Sequence, residues 1–294
     1  MNPTDLKAIL AKLRRYEIRI RKVIDTRMQG DFHSVFKGSG IEFDDVRSYQ
    51  YGDDVRTIEW NVSAKGHGTF VKTFKEEKEQ TILFLLDVSA SQDIGRAGET
   101  KLDVAREICG VLALAGIKEK SQTALLCFSD QKERYVRPGK GLRHGYEIVS
   151  ALYDLVPKGL RTNLAAMAQY ALSVIKRRSV VVLVSDFIDT DYEPALRALA
   201  RRHDLICIHV ADPLETGFPK LGIVPLFDKE RRRTVWVNTS AAWFSGQLST
   251  PLAENRRRLE DFCKRNRANY LYVQTGEPYV EKLIRLFRGR KTSR

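Results

Sequence analysis

Four short apolar runs limit what this chain can fold into: Thr81 to Leu86, Thr123 to Phe128, Val180 to Ser185 and Leu205 to Val210. Each is continuous rather than alternating, the pattern of a strand covered on both faces, and each is too short to be a helix of its own. Helix-period segments separate them, at Lys101 to Lys118, Gly141 to Leu155, Leu164 to Arg177 and Glu193 to Arg202. A shorter strand at Tyr135-Val136, another at Tyr270 to Val273, and helices near Leu252 to Asn266 and Val280 to Leu286 complete the series. Strands alternating with helices predict an α/β fold: a doubly wound, mostly parallel sheet with helices on both faces.

The flanks differ from this body. Residues 1–28 read as an amphipathic helix: Leu6, Ile9, Leu10, Leu13, Ile20, Val23 and Ile24 form one apolar stripe, with Arg14, Arg15, Arg19, Arg21 and Lys22 among the charges opposite. The stripe is expected to bury against the rest of the chain, with a membrane surface as the alternative. Residues 29–80 are rich in Gly, Asp and aromatics. Short strands are expected there at Ile41 to Phe43, Thr57 to Trp60 and Thr69 to Phe74, packed on the sheet domain of residues 81–275. Residues 211–233 read as a basic, Pro- and Gly-containing segment, Val235 to Val237 as a short strand, and residues 276–294 as a terminal helix with a basic tail.

Composition narrows the function classes. A 43% hydrophobic, 30% charged chain has the material for a sizeable core, and no stretch approaches the roughly 18 apolar residues of a membrane span. Charges interrupt the N-terminal apolar residues, unlike a secretory signal, so a cytoplasmic location is expected, with peripheral contact at the inner membrane left open. The net charge of +13 favours acidic partners. The basic residues are dispersed without a recognition helix or an aromatic-basic motif, which argues against a nucleic-acid role. Cys109, Cys127, Cys207 and Cys263 lack metal-ligand spacing, and the first three sit in apolar runs as small core residues.

Ligands of open α/β sheets bind beyond the carboxyl ends of the strands. Past the first long run comes Asp87-Val88-Ser89-Ala90-Ser91, and the third ends in Ser185 before Asp186-Phe187. A loop between them, Gly159 to Leu164, carries Thr162 into a helix. Asp87, Ser89, Ser91, Thr162 and Asp186 should therefore share one rim if those strands are neighbours. Two carboxylates and three hydroxyls suit a hard cation, Mg²⁺ or Mn²⁺, and leave it incompletely neutralised, so that a partner's acidic group can complete its shell.

With these residues in view, the sheet region resembles a von Willebrand factor A domain, Rossmann-like in plan, whose metal-ion-dependent adhesion site is assembled from a D-x-S-x-S turn, a loop Thr and a later Asp. The resemblance implies Mg²⁺ or Mn²⁺ bound directly by the serines and a protein-binding role. Gln92 stands where a Met is common, which should be harmless. Phe187 replaces the Gly often found after the second Asp, which should alter the loop beside the ion. Upstream, Gly38 to Phe43, Arg47-Ser48-Tyr49, Gly52 to Arg56, Ile58-Glu59-Trp60 and Ser63-Ala64 resemble the signature of a bacterial family known as domain of unknown function 58. Its members are typically linked to MoxR-type AAA+ ATPases. Within that signature Asp53, Asp54 and Glu59 offer carboxylates to Arg47 and Arg56, and Trp60 offers a ring for stacking. The set is read as a structural network or a docking surface for the ATPase.

The expectation is a non-catalytic, Mg²⁺- or Mn²⁺-dependent protein-binding factor that acts with a MoxR-type ATPase on an unidentified client. One alternative is a Mg²⁺-dependent phosphatase-like enzyme using the strand-end Asp87, but Ser89 stands where a second Asp would serve as general acid. The sequence also lacks a P-loop and a G-x-S-x-G elbow. The other is a basic protein that associates with nucleic acid or a membrane surface through its first helix and tail.

Overall fold

The computed structural model describes residues 37–66, 68–228 and 233–289, together with Ala11. The expected N-terminal helix and the basic tail beyond residue 289 lie outside the described residues. In chain order the strands are β1 (Lys37–Ser48), β2 (Phe70–Glu79), β3 (Thr81–Asp87), β4 (Gly95–Arg96), β5 (Glu99–Thr100), β6 (Gln122–Phe128), β7 (Lys132–Gly139), β8 (Val180–Ser185), β9 (Asp204–Ala211), β10 (Ile223–Asp228), β11 (Arg233–Asn238) and β12 (Asn269–Gln274). The helices are α1 (Trp60–Ser63), α2 (Lys101–Lys118), α3 (Gly141–Tyr153), α4 (Leu164–Val174), α5 (Glu193–Arg202), α6 (Pro213–Thr216), α7 (Ala242–Arg265) and α8 (Tyr279–Gly289).

A six-stranded sheet in the order β12-β9-β8-β3-β6-β7 forms the centre. All its pairs are parallel except β6 with the edge strand β7. The four apolar runs are its four inner strands, and their side chains alternate between two cores. Ile82, Phe84 and Leu86 of β3 pack with Val104, Ile108 and Leu112 of α2, Ile148 and Leu152 of α3, and Leu283 of α8. Leu83 and Leu85 pack on the other face with Met167 and Ala171 of α4, Leu196 and Leu199 of α5, and Phe262 of α7. Each such side chain contributes about 1.5–3 kcal/mol on burial, so the two-sided sheet is the main source of stability. Cys109, Cys127, Cys207 and Cys263 are free thiols buried in these cores. Helix α8 belongs to the same core, and Tyr279 donates its hydroxyl to Glu107 of α2 at 2.9 Å.

From β3 the chain moves to β6 on one side, then returns to place β8, β9 and β12 on the other. The carboxyl ends of β3 and β8 therefore flank the topological switch point, where such sheets open a crevice. The two strands are adjacent, with Leu86 opposite Val184.

Three expectations need correction. The segment Thr57–Trp60 is not a strand: Val55–Thr57 is a 3-10 turn and Trp60–Ser63 a single helical turn, with only Ile58 bridging to Val71. Asp54 and Glu59 accept backbone N–H groups there, from Arg56 and Asn61, and this local capping competes with a ladder. Instead β1 and β2 form one long antiparallel ribbon, with Arg47 opposite Val71. The segment after β9 is also more ordered than its composition suggests. It holds α6 and the antiparallel hairpin β10–β11, followed by α7, which begins at Ala242 and carries Pro251 within it.

Candidate metal centre

The turn after β3 is organised by Asp87. Its Oδ1 accepts the Ser89 amide at 2.9 Å, and its Oδ2 accepts the Ser185 hydroxyl at 2.6 Å and the Gln92 side-chain amide at 3.3 Å. Ser185 is thus a clamp between β3 and β8, and it also accepts the Phe187 amide at 2.9 Å. Above this carboxylate three hydroxyls meet. Ser89 Oγ lies 3.0 Å from Ser91 Oγ, and Thr162 donates to Ser89 Oγ at 2.9 Å. All three expected hydroxyls therefore share one rim, although Thr162 lies 73 residues from Ser89 in sequence. Asp186 reaches the same rim through a side-chain hydrogen bond with Ser91, and its Oδ1 accepts the Ile188 amide at 3.1 Å.

No local pattern points to Lys101. This first residue of α2 is fully buried, and its ammonium donates to Asp186 Oδ2 at 2.7 Å and to Glu215 Oε1 at 2.5 Å. A cation at a helix N-terminus is disfavoured by the helix dipole, so two contacting carboxylates are what hold it there. Burial works against its charge, but Asp186 and Glu215 outweigh this and the pKa is raised. For Asp186 burial likewise opposes ionisation, and the Lys101 ammonium reverses the balance and holds its carboxyl below the usual range. Asp87 has no such cation. Burial, together with the neighbouring Asp186 charge, pushes its carboxyl up to about 6. Two carboxylates of one site are thereby made unlike by a single lysine.

The loop that presents Thr162 is pinned at several points. Ala90 donates its amide to Leu160 O at 2.9 Å, Asn163 to Ser129 O at 3.2 Å, and Leu164 to Asp189 Oδ2 at 2.8 Å. Gly159 donates its amide to Glu133 Oε1 at 2.7 Å and passes so close to β7's approach that a Cβ there would stand 2.0 Å from Asp130 Oδ1. Only glycine fits. After Asp186 the backbone turns left-handed at Phe187, with φ 54°. This explains why glycine suits the position. Phe187 accepts the strain because its ring is buried against Tyr192 and His209, centroids 6.2 Å and 5.7 Å away.

Among the described residues no group of three or more His, Cys, Asp or Glu converges on a point that could hold a metal. The hydroxyl set is a different kind of donor. Oxygen ligands at neighbouring corners of a Mg²⁺ octahedron stand about 2.9 Å apart, given Mg–O distances of about 2.0–2.1 Å. The hydroxyl separations of 2.9 and 3.0 Å match such edges. Asp87 and Asp186 are engaged by protein donors and fit as outer charges rather than direct ligands. Gln92 Oε1 beside them is buried without a hydrogen-bond partner among the described residues, an acceptor suited to a hydrated ion's water. The donor set therefore fits a hard cation held by hydroxyls.

Two concave surfaces adjoin the rim. One of about 480 Å³ runs from Ser89 along Val88, Ala90, Leu102, Leu160 and Phe227, the last from the β10–β11 hairpin. That hairpin also leaves Ile223 and Trp236 exposed. The other, of about 400 Å³, is lined by Lys101's two partners, Asp186 and Glu215, with His209, Asp212, Arg256 and Tyr272. There Arg256 stacks on the Tyr272 ring at 3.8 Å, and the buried His209 pairs Nδ1 with the Tyr270 hydroxyl at 2.9 Å. Burial drives the His209 pKa down to about 4.

The upstream residues divide differently from expectation. Arg47 and Asp53 form a bidentate pair at 2.8 and 2.7 Å, and Asp53 also accepts the Gln50 amide. Glu59 pairs with Lys72 of β2 at 2.6 Å and not with an arginine. The Asp54 carboxylate accepts the Arg56 backbone amide, and Trp60 stands exposed. The cause is the ribbon itself: it brings Lys72 beside Glu59 while the capping turn spends Asp54 locally. Tyr51, Val55 and Trp60 are exposed apolar side chains of this segment.

Fold and rim together define a class: an α/β domain whose switch point carries a hydroxyl cluster backed by two carboxylates. The chain belongs to the family described as "Protein of unknown function DUF58", whose model matches residues 45–258. "Uncharacterized protein Mb1516" of Mycobacterium bovis is 28% identical over 225 residues, covering 76% of this chain and 71% of that protein. "Uncharacterized protein MAV169" of Mycobacterium avium is 26% identical over 158 residues, 52% of this chain and 93% of that one. Among solved structures, the conserved hypothetical protein BatB from Bacteroides thetaiotaomicron aligns with 73% of this chain and 100% of its own, at 10% identity and TM-score 0.48. The VWA domain of SpRpn10 aligns with 70% of this chain and 94% of its own, at 11% identity and TM-score 0.39. Among the described residues no helix is long and apolar enough to cross a membrane.

Proposed function

We propose that this domain is a non-catalytic binding factor that takes Mg²⁺ or Mn²⁺ on Ser89, Ser91 and Thr162 and engages a partner protein through the ion. The observation that carries this reading is the meeting of three hydroxyls at 2.9–3.0 Å on the switch-point rim. Asp87 and Asp186 lie beneath as charges that are not free to ligate in full. The ion would supply a Lewis-acidic point for a partner's carboxylate, and the apolar groove toward Phe227 would take the side chains beside it. The family signature at residues 45–64 supports a MoxR-type AAA+ ATPase as the associated machine, with the exposed Tyr51, Val55 and Trp60 as its docking side.

An Asp87 nucleophile is disfavoured. That carboxylate is 1% exposed, accepts three hydrogen bonds and is pushed toward its neutral form, all of which oppose attack on phosphorus. The test is a Mg²⁺ and Mn²⁺ titration of wild type and Asp87→Ala. Weaker binding in the variant is expected, and equal affinity would remove the metal assignment. Co-purification from the native host with and without Mg²⁺ tests the ATPase: its absence under both conditions would remove that partner.

A further inference from the structure

We propose that Lys101 is a built-in counter-cation that competes with the metal ion for Asp186 and keeps the site's resting metal affinity low. The inference rests on the metal reading above. Lys101 Nζ touches Asp186 Oδ2 at 2.7 Å and Glu215 Oε1 at 2.5 Å, and the lysine side chain is 0% exposed. Both of its carboxylate partners also line the cavity of about 400 Å³ beside the rim. A divalent ion on the hydroxyls meets an Asp186 whose charge is already matched, and meets the ammonium's repulsion as well. In a buried setting both effects act at low effective dielectric and are not screened by salt.

The rest of the structure keeps Lys101 where it is. Its backbone amide donates to Ile94 O at 2.9 Å, and the preceding Thr100 caps α2 in a reciprocal pair with Asp103. Glu215 is held in turn by its own capping role, its Oε2 accepting the Asp212 amide at 3.0 Å. The lysine is therefore a fixed charge with two fixed partners. Such a site holds its ion weakly alone, and a partner's carboxylate supplies the negative charge that Asp186 withholds.

The experiment is calorimetric titration of Mg²⁺ and Mn²⁺ into the full chain as wild type, E215Q and the double variant K101M/E215Q. The double variant removes one cation and one anion, so the formal charge of the site is unchanged while Asp186 is released. It is expected to bind roughly tenfold or more tightly than wild type. E215Q alone leaves the ammonium to Asp186 and is expected to bind more weakly than wild type. A merely structural lysine could only lower affinity on removal, so tighter binding is the distinguishing result. If wild type and K101M/E215Q bind equally, the role of Lys101 is overturned and the metal reading stands. If none of the folded proteins binds either ion, both fall. Should K101M/E215Q fail to fold by circular dichroism, E215Q decides: affinity equal to or above wild type overturns the proposal.

Discussion

Asp87 and His209 titrate in opposite senses over the same pH range. Asp87 is raised to about 6 in the folded state, so a metal-free protein gains stability as pH falls from above 6 toward the unfolded value of 3.8. His209 is lowered to about 4, so it costs stability as pH falls from 6.5 to 4, where the unfolded chain binds a proton that the buried ring refuses. At about 1.4 kcal/mol per pKa unit, each amounts to roughly 3 kcal/mol, and the two nearly offset. Asp87→Asn should therefore raise metal-free stability at pH 7.5 by about 1–3 kcal/mol. The same variant should lose stability steeply between pH 6.5 and 4, where wild type stays nearly flat. Urea denaturation across that range checks both. Phe187 is a second residue-scale trade. Phe187→Gly relieves about 1 kcal/mol of left-handed strain but removes a fully buried ring, worth about 3–5 kcal/mol. A net loss of about 2–4 kcal/mol is expected in denaturant unfolding, and a more stable variant would show that the ring does not hold the turn.

At the scale of elements, the hydroxyl cluster depends on a loop rather than on a strand. Thr162 is placed by Gly159, which has no room for a side chain between Ser129 and Asp130. Gly159→Ala should push the loop outward, cost about 1–3 kcal/mol through overpacking and weaken metal binding severalfold. Unchanged affinity on titration would mean that Thr162 is not part of the site. The strand-end residues of this site were legible in sequence because continuous apolar runs announce buried strands and polar residues follow them directly. The partners that tune the site were not. Lys101 opens a helix among other charges and looks like solvated surface, and nothing local shows that α2 buries its first residue under Asp186. Gln92 passed for a harmless replacement, yet it donates to Asp87. Of the β10–β11 hairpin only β11 was legible, as the short strand at Val235 to Val237; β10 was hidden because Ile223 and Phe227 are exposed and no burial pattern marks it.

For the whole molecule, the α/β architecture follows from alternation of runs and helices, whereas alternation leaves the strand order open, and the pairing of β3 with β8 that the shared rim requires is set by the packed sheet. The upstream ribbon was less legible because contacts such as Glu59 with Lys72 join a capping turn to a strand more than ten residues on. The chain's net charge of +13 favours acidic partners, which under the proposed function would meet the ion at the rim. All of this depends on the hydroxyls being the cation's ligands. The most direct measurement is Mn²⁺ titration of wild type against Ser89→Ala/Ser91→Ala, followed by calorimetry and by electron paramagnetic resonance of the bound ion. Binding in wild type, with affinity falling by roughly tenfold or more in a folded double variant, is the expected result. Equal Mn²⁺ affinity in the two proteins would contradict it.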